Sequence, residues 1–125
     1  MDKKIVQTHL APNAVGTYSQ GVEYNGVFYF SGQIGIDPQN QALKEGFKDQ
    51  LDQVLKNIDG LLAGTNLTRE NIIKTSIFLT DLGQFHLVNE AYEQFFTQPY
   101  PARSTVEVSK LPKGALVEIE VIAAR

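Results

Sequence analysis

Along PYPARSTVEV, residues 99–108, the side chains of Arg103, Thr105 and Glu107 alternate with those of Ala102, Ser104, Val106 and Val108. In an extended chain the two sets lie on opposite faces. Pro99 and Pro101 hold the entry to this run extended and withhold ladder donors. A guanidinium offers a planar fork that fits a carboxylate through two parallel hydrogen bonds. In ALVEIEVIAAR, 115–125, Glu118 and Glu120 stand with Leu116 and Ile122 opposite an apolar face of Ala115, Val117, Ile119, Val121 and Ala123. A hairpin through KLPKG places Arg103 on the same side of the sheet as these carboxylates, although the turn leaves the register open. A carboxylate beside a water can take or relay its proton. From spacing alone the plainer reading is favoured, an ion pair between Arg103 and a glutamate that fixes an interface or a register. Leu116, Ile122 and either Phe78 or Ile77 with Leu79 join that face, a mixture that points to contact with another subunit.

The elements that must carry these residues are legible. KIVQTH, 4–9, reads as a first strand and APNAVGTYSQG, 11–21, as an ordered loop. Asn25-Gly26 separates two strand-like runs within 22–35 and predicts a type I′ hairpin whose second arm is Val27 to Gln33. IDPQNQALKE, 36–45, reads as loop. Phe47, Leu51, Val54, Leu55, Ile58, Leu61 and Leu62 recur at helical spacing, with Lys48, Asp49, Asp52, Gln53 and Lys56 opposite and Gly64 as the terminator. IIKTSIFLT, 72–80, is β-branched and strand-like. Asp81 with Gln84 predicts a capping box, followed by a helix with the stripe Phe85, Val88, Ala91, Tyr92, Phe95 and Phe96. Strands over 102–109 and 115–124 complete the order β-ββ-α-β-α-ββ. Two helices with single apolar stripes predict an α+β sandwich, both helices covering one face of a mostly antiparallel sheet.

Composition narrows the function. A chain of 125 residues fits a single domain, 1–125. At this length folding buries somewhat under about 70% of the unfolded surface, enough for a core without staples. The lack of cysteine excludes disulfides, thiolate catalysis and thiolate metal sites, and fits a reducing, cytoplasmic setting. A net charge of −3 with interspersed signs argues against a nucleic-acid partner. The start, MDKKIVQTHLAP, has no signal-peptide core, and no apolar run approaches a membrane span. His9 and His86 have neither metal-ligand spacing nor an accompanying acidic cluster.

Taken together, APNAVGTYSQGV, FYFSGQIGIDP, DQLDQVLKNIDGLLAG, NIIKTSIFLTDLGQF, VNEAYEQFF, YPARSTVEV and LPKGALVEIEVIA run nearly end to end. In this combination the chain resembles the RidA branch of the Rid/YjgF family of enamine/imine deaminases. The resemblance implies a chorismate-mutase-like fold assembled as a homotrimer, with active sites between neighbouring subunits. It implies hydrolysis of 2-aminoacrylate, 2-aminocrotonate and their 2-imino tautomers, released by PLP-dependent dehydratases, to 2-oxo acids and ammonia. No metal or organic cofactor is implied. Matched position by position, Arg103 would bind the substrate carboxylate and Glu118 would orient or activate water. Tyr18 would reach the site across a subunit boundary. Ser31 and Gly32 would bring small side chains and backbone close to the ligand, and Asn89 would line the pocket.

Without the resemblance, Tyr18 reads as a packed loop tyrosine, Gly32 as a bulge or strand end, and Asn89 as a helix-surface group. Thr105 stands where many relatives carry Cys. Its backbone groups can still meet substrate, and no thiol is needed for the reaction. Two other functions compete, a non-catalytic receptor for small carboxylates such as 2-oxo acids and, ranked last, an endoribonuclease or translation inhibitor.

Overall fold

A computed structural model describes residues 2–125. Six strands form one sheet in the order β1-β2-β3-β8-β6-β7. They are β1 (Lys4–Val6), β2 (Gly21–Tyr24), β3 (Val27–Phe30), β6 (Ile72–Leu79), β7 (Ala102–Glu107) and β8 (Val117–Ala124). A small second hairpin pairs β4 (Ile36–Asp37) with β5 (Ala42–Leu43), inside the segment expected to be loop. Helices α1 (Phe47–Gly64) and α2 (Phe85–Phe95) complete the α+β architecture. Every ladder in the large sheet is antiparallel except β6–β7, which is parallel because α2 intervenes as a crossover.

The helices cover one sheet face, as the two apolar stripes predict. Leu51, Val54, Ile58, Leu61 and Leu62 of α1 and Val88, Tyr92 and Phe95 of α2 are buried against Phe28, Phe30, Ile77, Leu79, Val117, Ile119 and Val121. Burying each large aliphatic contributes up to about 1.5–3 kcal/mol, the main term holding the layers together. Asn25 and Gly26 have φ of 53° and 80°, both positive as a type I′ turn requires.

Several expectations are corrected. The strands over 102–109 and 115–124 do not form a hairpin, because β6 lies between them. Thr75, Ile77 and Leu79 of β6 are register partners of Arg103, Thr105 and Glu107 on one side and of Val121, Ile119 and Val117 on the other. Arg103, Thr105 and Glu107 therefore lie on the helix face. Glu118 and Glu120 lie on the open face with Phe78 and Ile122, whereas Ile77 and Leu79 are core. Strand pairing, not the turn, decided the sides.

The outer strands are shorter than expected, β1 ending at Val6 and β3 at Phe30. Gly64 is the last residue of α1 and lacks positive φ. Asn66 takes the left-handed conformation instead, with φ 60°. Gly64 is small for packing, since a Cβ there would lie 2.7 Å from the Thr8 side chain. Asp81 caps a 3-10 turn over 82–84 by accepting from the Gly83 amide at 2.8 Å, and α2 follows that turn. Gln53, expected on the solvent face of α1, is buried and donates to Asn57 Oδ1 at 2.9 Å. Asn57 in turn donates to the Ile36 carbonyl at 2.9 Å, so this polar pair ties the β4 segment to the helix.

Candidate active site

The parallel β6–β7 ladder sets Arg103 at the sheet edge, directly beneath α2. Its Nη1 donates to Asn89 Oδ1 at 2.8 Å. Its guanidinium carbon lies 5.0 Å from the Phe85 ring centroid and 5.7 Å from that of Tyr92. The ion pairs among the described residues are Lys44–Asp37, Lys48–Asp52, Arg69–Asp59 and Arg125–Glu23. The expected Arg103–glutamate pair is not formed, since Glu118 and Glu120 are on the other face. The guanidinium is held by a neutral amide and two rings, so its charge and remaining donors are available to an anion. A cleft of about 520 Å³ opens beside it, lined by Asn89, Tyr92, Glu93, Tyr100, Pro101 and Arg103. That volume is within the range of small-molecule sites.

Thr105 lies two residues along β7, with its Oγ1 buried and without a hydrogen-bond partner. Glu107, on the same face, accepts from the Leu82 amide at 2.9 Å and fastens the turn that leads into α2.

The second group is on the open face. Beyond β3, Gln33 exchanges both backbone hydrogen bonds with Ile119 of β8, at 2.8 and 3.0 Å. This crossing lays Gly32 against Glu118, and a Cβ at Gly32 would collide with the Glu118 carboxylate. Glu118 is half-buried there. Burial first, and the neighbouring Glu120 second, push its carboxyl above the usual glutamate range. Ser31 Oγ donates to the Ser19 carbonyl at 2.6 Å, and the Ser31 amide donates to Gln20 O at 2.9 Å. The loop bearing Tyr18 is thereby tied to Ser31-Gly32. Tyr18 itself is 54% exposed.

Gln20 is a structural residue that the sequence reading did not single out. It is buried, accepts from the Thr8 amide at 2.6 Å, and donates to the carbonyls of Thr8, Ala11 and Pro12. One side chain thus closes the 8–20 loop. A polar residue followed by the strand-starting Gly-Val offered no periodic signal for it. Phe85 and Tyr92 were legible only as core stripe, although they also contact the arginine.

The structure therefore assembles two constellations: Arg103 with Asn89 beneath α2, and Ser31, Gly32 and Glu118 beside the Tyr18 loop. It does not bring the two together within one chain. They lie on opposite sheet faces, with β6 between the strands that bear Arg103 and Glu118. No group of three or more His, Cys, Asp or Glu among the described residues could hold a metal ion. Among the described residues, no helix is long and apolar enough to cross a membrane.

The fold is thus a two-helix α+β sheet with an arginine at its edge that has no ion-pair partner among the described residues. The chain belongs to the Endoribonuclease L-PSP family, the Rid/YjgF proteins, whose model matches residues 8–125. It is 48% identical over 122 residues to a RutC family protein of Aquifex aeolicus, covering 96% of this chain and 98% of that protein. It is 39% identical to the human 2-iminobutanoate/2-iminopropanoate deaminase, covering 97% of this chain and 89% of that protein. The crystal structure of E. coli TdcF with bound serine superposes with a TM-score of 0.92 at 41% identity, covering 98% of each chain.

Proposed function

We propose that this protein is a hydrolytic deaminase of 2-aminoacrylate, 2-aminocrotonate and their 2-imino acid tautomers, releasing 2-oxo acids and ammonia. The observation that carries the reading is Arg103, held by Asn89 in a cleft without a carboxylate partner. Such a cation binds a carboxylate through charge-assisted hydrogen bonds of roughly 1.5–3 kcal/mol each. The human relative named for this activity supports the substrate class.

The chemistry needs no cofactor. The enamine is protonated on carbon to give the imine, and water adds to the C=N carbon. Proton transfer to nitrogen follows, the C–N bond breaks, ammonia leaves, and the 2-oxo acid remains. Glu118, whose carboxyl titrates above the usual range, suits a water-orienting base that returns the proton to the leaving nitrogen. Gly32 leaves room for that carboxylate, while Ser31 and the Thr105 backbone border the ligand.

Because Arg103 and Glu118 of one chain lie on opposite faces, the reading requires two chains to complete one site. A homotrimer packed through the open faces, with Tyr18 reaching a neighbour's cleft, fits that requirement. The 1–125 chain then acts as one domain in the cytoplasm, downstream of PLP-dependent dehydratases that release the imine.

The test is ammonia and 2-oxo acid release in a threonine dehydratase reaction, run where spontaneous hydrolysis is slow. Wild type accelerates decay of the intermediate, and Arg103→Ala does not. An unchanged decay rate with wild type refutes the reading. The second reading, a 2-oxo acid receptor, is favoured by the complete binding half beneath α2. Glu118→Ala separates the two, since a receptor keeps its affinity and an enzyme loses turnover. Ribonuclease activity is ranked last. The chain is acidic, and its two histidines, His9 and His86, sit on a loop and a helix surface.

A further inference from the structure

We infer that Phe85 and Tyr92 are positioning residues that hold the Arg103 guanidinium in the orientation that receives a carboxylate, an inference that rests on the deaminase reading above. Phe85, Asn89 and Tyr92 are spaced i, i+4, i+7 on α2 and form one stripe directed at β7. Both rings lie within about 6 Å of the cation, the range of cation–π attraction. The Asn89 bond fixes one edge of the fork, and the rings fix its plane. An exposed arginine otherwise samples many rotamers and must lose that freedom when a ligand binds. Here the fold has already restricted it without engaging it in an ion pair, although Glu93 also lines the cleft.

Tyr92 is placed to transmit this restraint. It is 7% exposed, and its hydroxyl faces Thr75, the β6 register partner of Arg103. The ring thus neighbours both Thr75 and the charged end of Arg103. Phe95 of the same helix lies beneath a different cation, Arg69, whose guanidinium carbon is 3.8 Å from its centroid. Phe85 and Tyr92 pack against the core and in addition both neighbour Arg103.

The experiment measures the affinity of 2-oxobutanoate by calorimetry, and kcat and KM in the dehydratase-coupled assay. The variants are Phe85→Leu, Tyr92→Leu and Tyr92→Phe, in wild-type and Arg103→Lys backgrounds, with melting curves for each. The expected result is a fivefold to tenfold weaker Kd and a matching rise in KM for either leucine variant, with kcat reduced less than twofold. Tyr92→Phe, which keeps the ring, recovers most of the lost affinity. In the Arg103→Lys background, Tyr92→Leu adds less than twofold.

Unchanged affinity in both folded leucine variants overturns the inference, as does an equal loss in the Arg103→Lys background. If Arg103→Ala abolishes binding while the leucine variants bind normally, only the seat is lost. If Arg103→Ala binds normally, the carboxylate reading falls and the seat falls with it. Should a leucine variant not fold, wild type decides. An order parameter above about 0.6 for the Arg103 Nε–Hε vector in the unliganded protein supports the seat, and a value below that overturns it.

Discussion

Arg103 Nη1 donates to Asn89 Oδ1 at 2.8 Å, joining the edge strand of the sheet to the middle of α2. Replacing Arg103 by Lys keeps the charge but loses the fork and the Asn89 geometry. The loss of one charge-assisted bond, about 1.5–3 kcal/mol, predicts a tenfold to hundredfold weaker affinity for 2-oxobutanoate. Asn89→Ala removes only the restraint, about 0.5–1.5 kcal/mol, for roughly a threefold to tenfold loss. Calorimetric titration of the three proteins checks the order.

Gly32→Ala separates folding from turnover. The added Cβ meets the Glu118 carboxylate, the far end of a flexible side chain that can swing aside. Stability is expected within about 1 kcal/mol of wild type. Turnover is expected to fall at least about tenfold, because small displacements of a reacting group are costly. Denaturant melts and the coupled assay report the two effects separately.

Glu118 is expected to set the acid side of the pH profile. Its folded-state carboxyl titrates above the unfolded one because burial, then Glu120, disfavours its charge. Native structure thus favours the neutral acid. That contribution is complete below the unfolded value and is lost as pH rises through the folded one. Glu118→Gln is therefore expected to be more stable than wild type at neutral pH, with the gap closing on acidification. Wild-type turnover is expected to fall with acid through a limb above the usual glutamate range, a limb absent from the residual activity of Glu118→Gln. Chemical denaturation and rate measurements across pH 3–8 check both.

Tyr92 is expected to contribute to the alkaline decline in stability. Burial pushes its phenol up to about 12, against the smaller opposing effects of Thr75 and Arg103. Burial of the neutral phenol is therefore stabilising below the ordinary tyrosine value and loses that effect as pH climbs toward about 12. Tyr92→Phe is expected to flatten the alkaline decline, read by melting temperature between pH 9 and 12.

Gln20→Ala leaves the Thr8 amide and the Thr8 and Pro12 carbonyls short of a partner. A loss of about 2–3 kcal/mol is expected, since each orphaned buried group costs about 1–3 kcal/mol and some regain water. Denaturant unfolding measures it. Weaker protection of the 8–20 amides in hydrogen exchange locates the effect.

Both helices, the Asn25-Gly26 turn and the α+β class were legible because each rests on neighbours in sequence: helical spacing, a positive-φ dipeptide, alternation in the strands. Arg103 was legible as a fork at the start of a strand, and its pairing with Asn89 followed only from placing both at one site. The side of the sheet it occupies was not legible. That side depends on which strand becomes the neighbour of β7, and α2 returns the chain parallel to β6 rather than turning it back through KLPKG. Gln53 was read as solvent-facing because helical spacing records polarity, not the carbonyls of Ile34 and Ile36 waiting for Asn57.

By itself the amino-acid order determined what short-range physics can encode: where helices and strands form, which stripes are apolar, and that one cation suited to a carboxylate follows a Pro-Tyr-Pro turn. The tertiary structure decided what that cation meets. Pairing across long loops put β6 between Arg103 and Glu118 and set α2 above the guanidinium. The loop crossing at Gln33 laid Gly32 on Glu118. Such contacts join residues far apart in the chain, and their register is chosen by burial of the whole helix face.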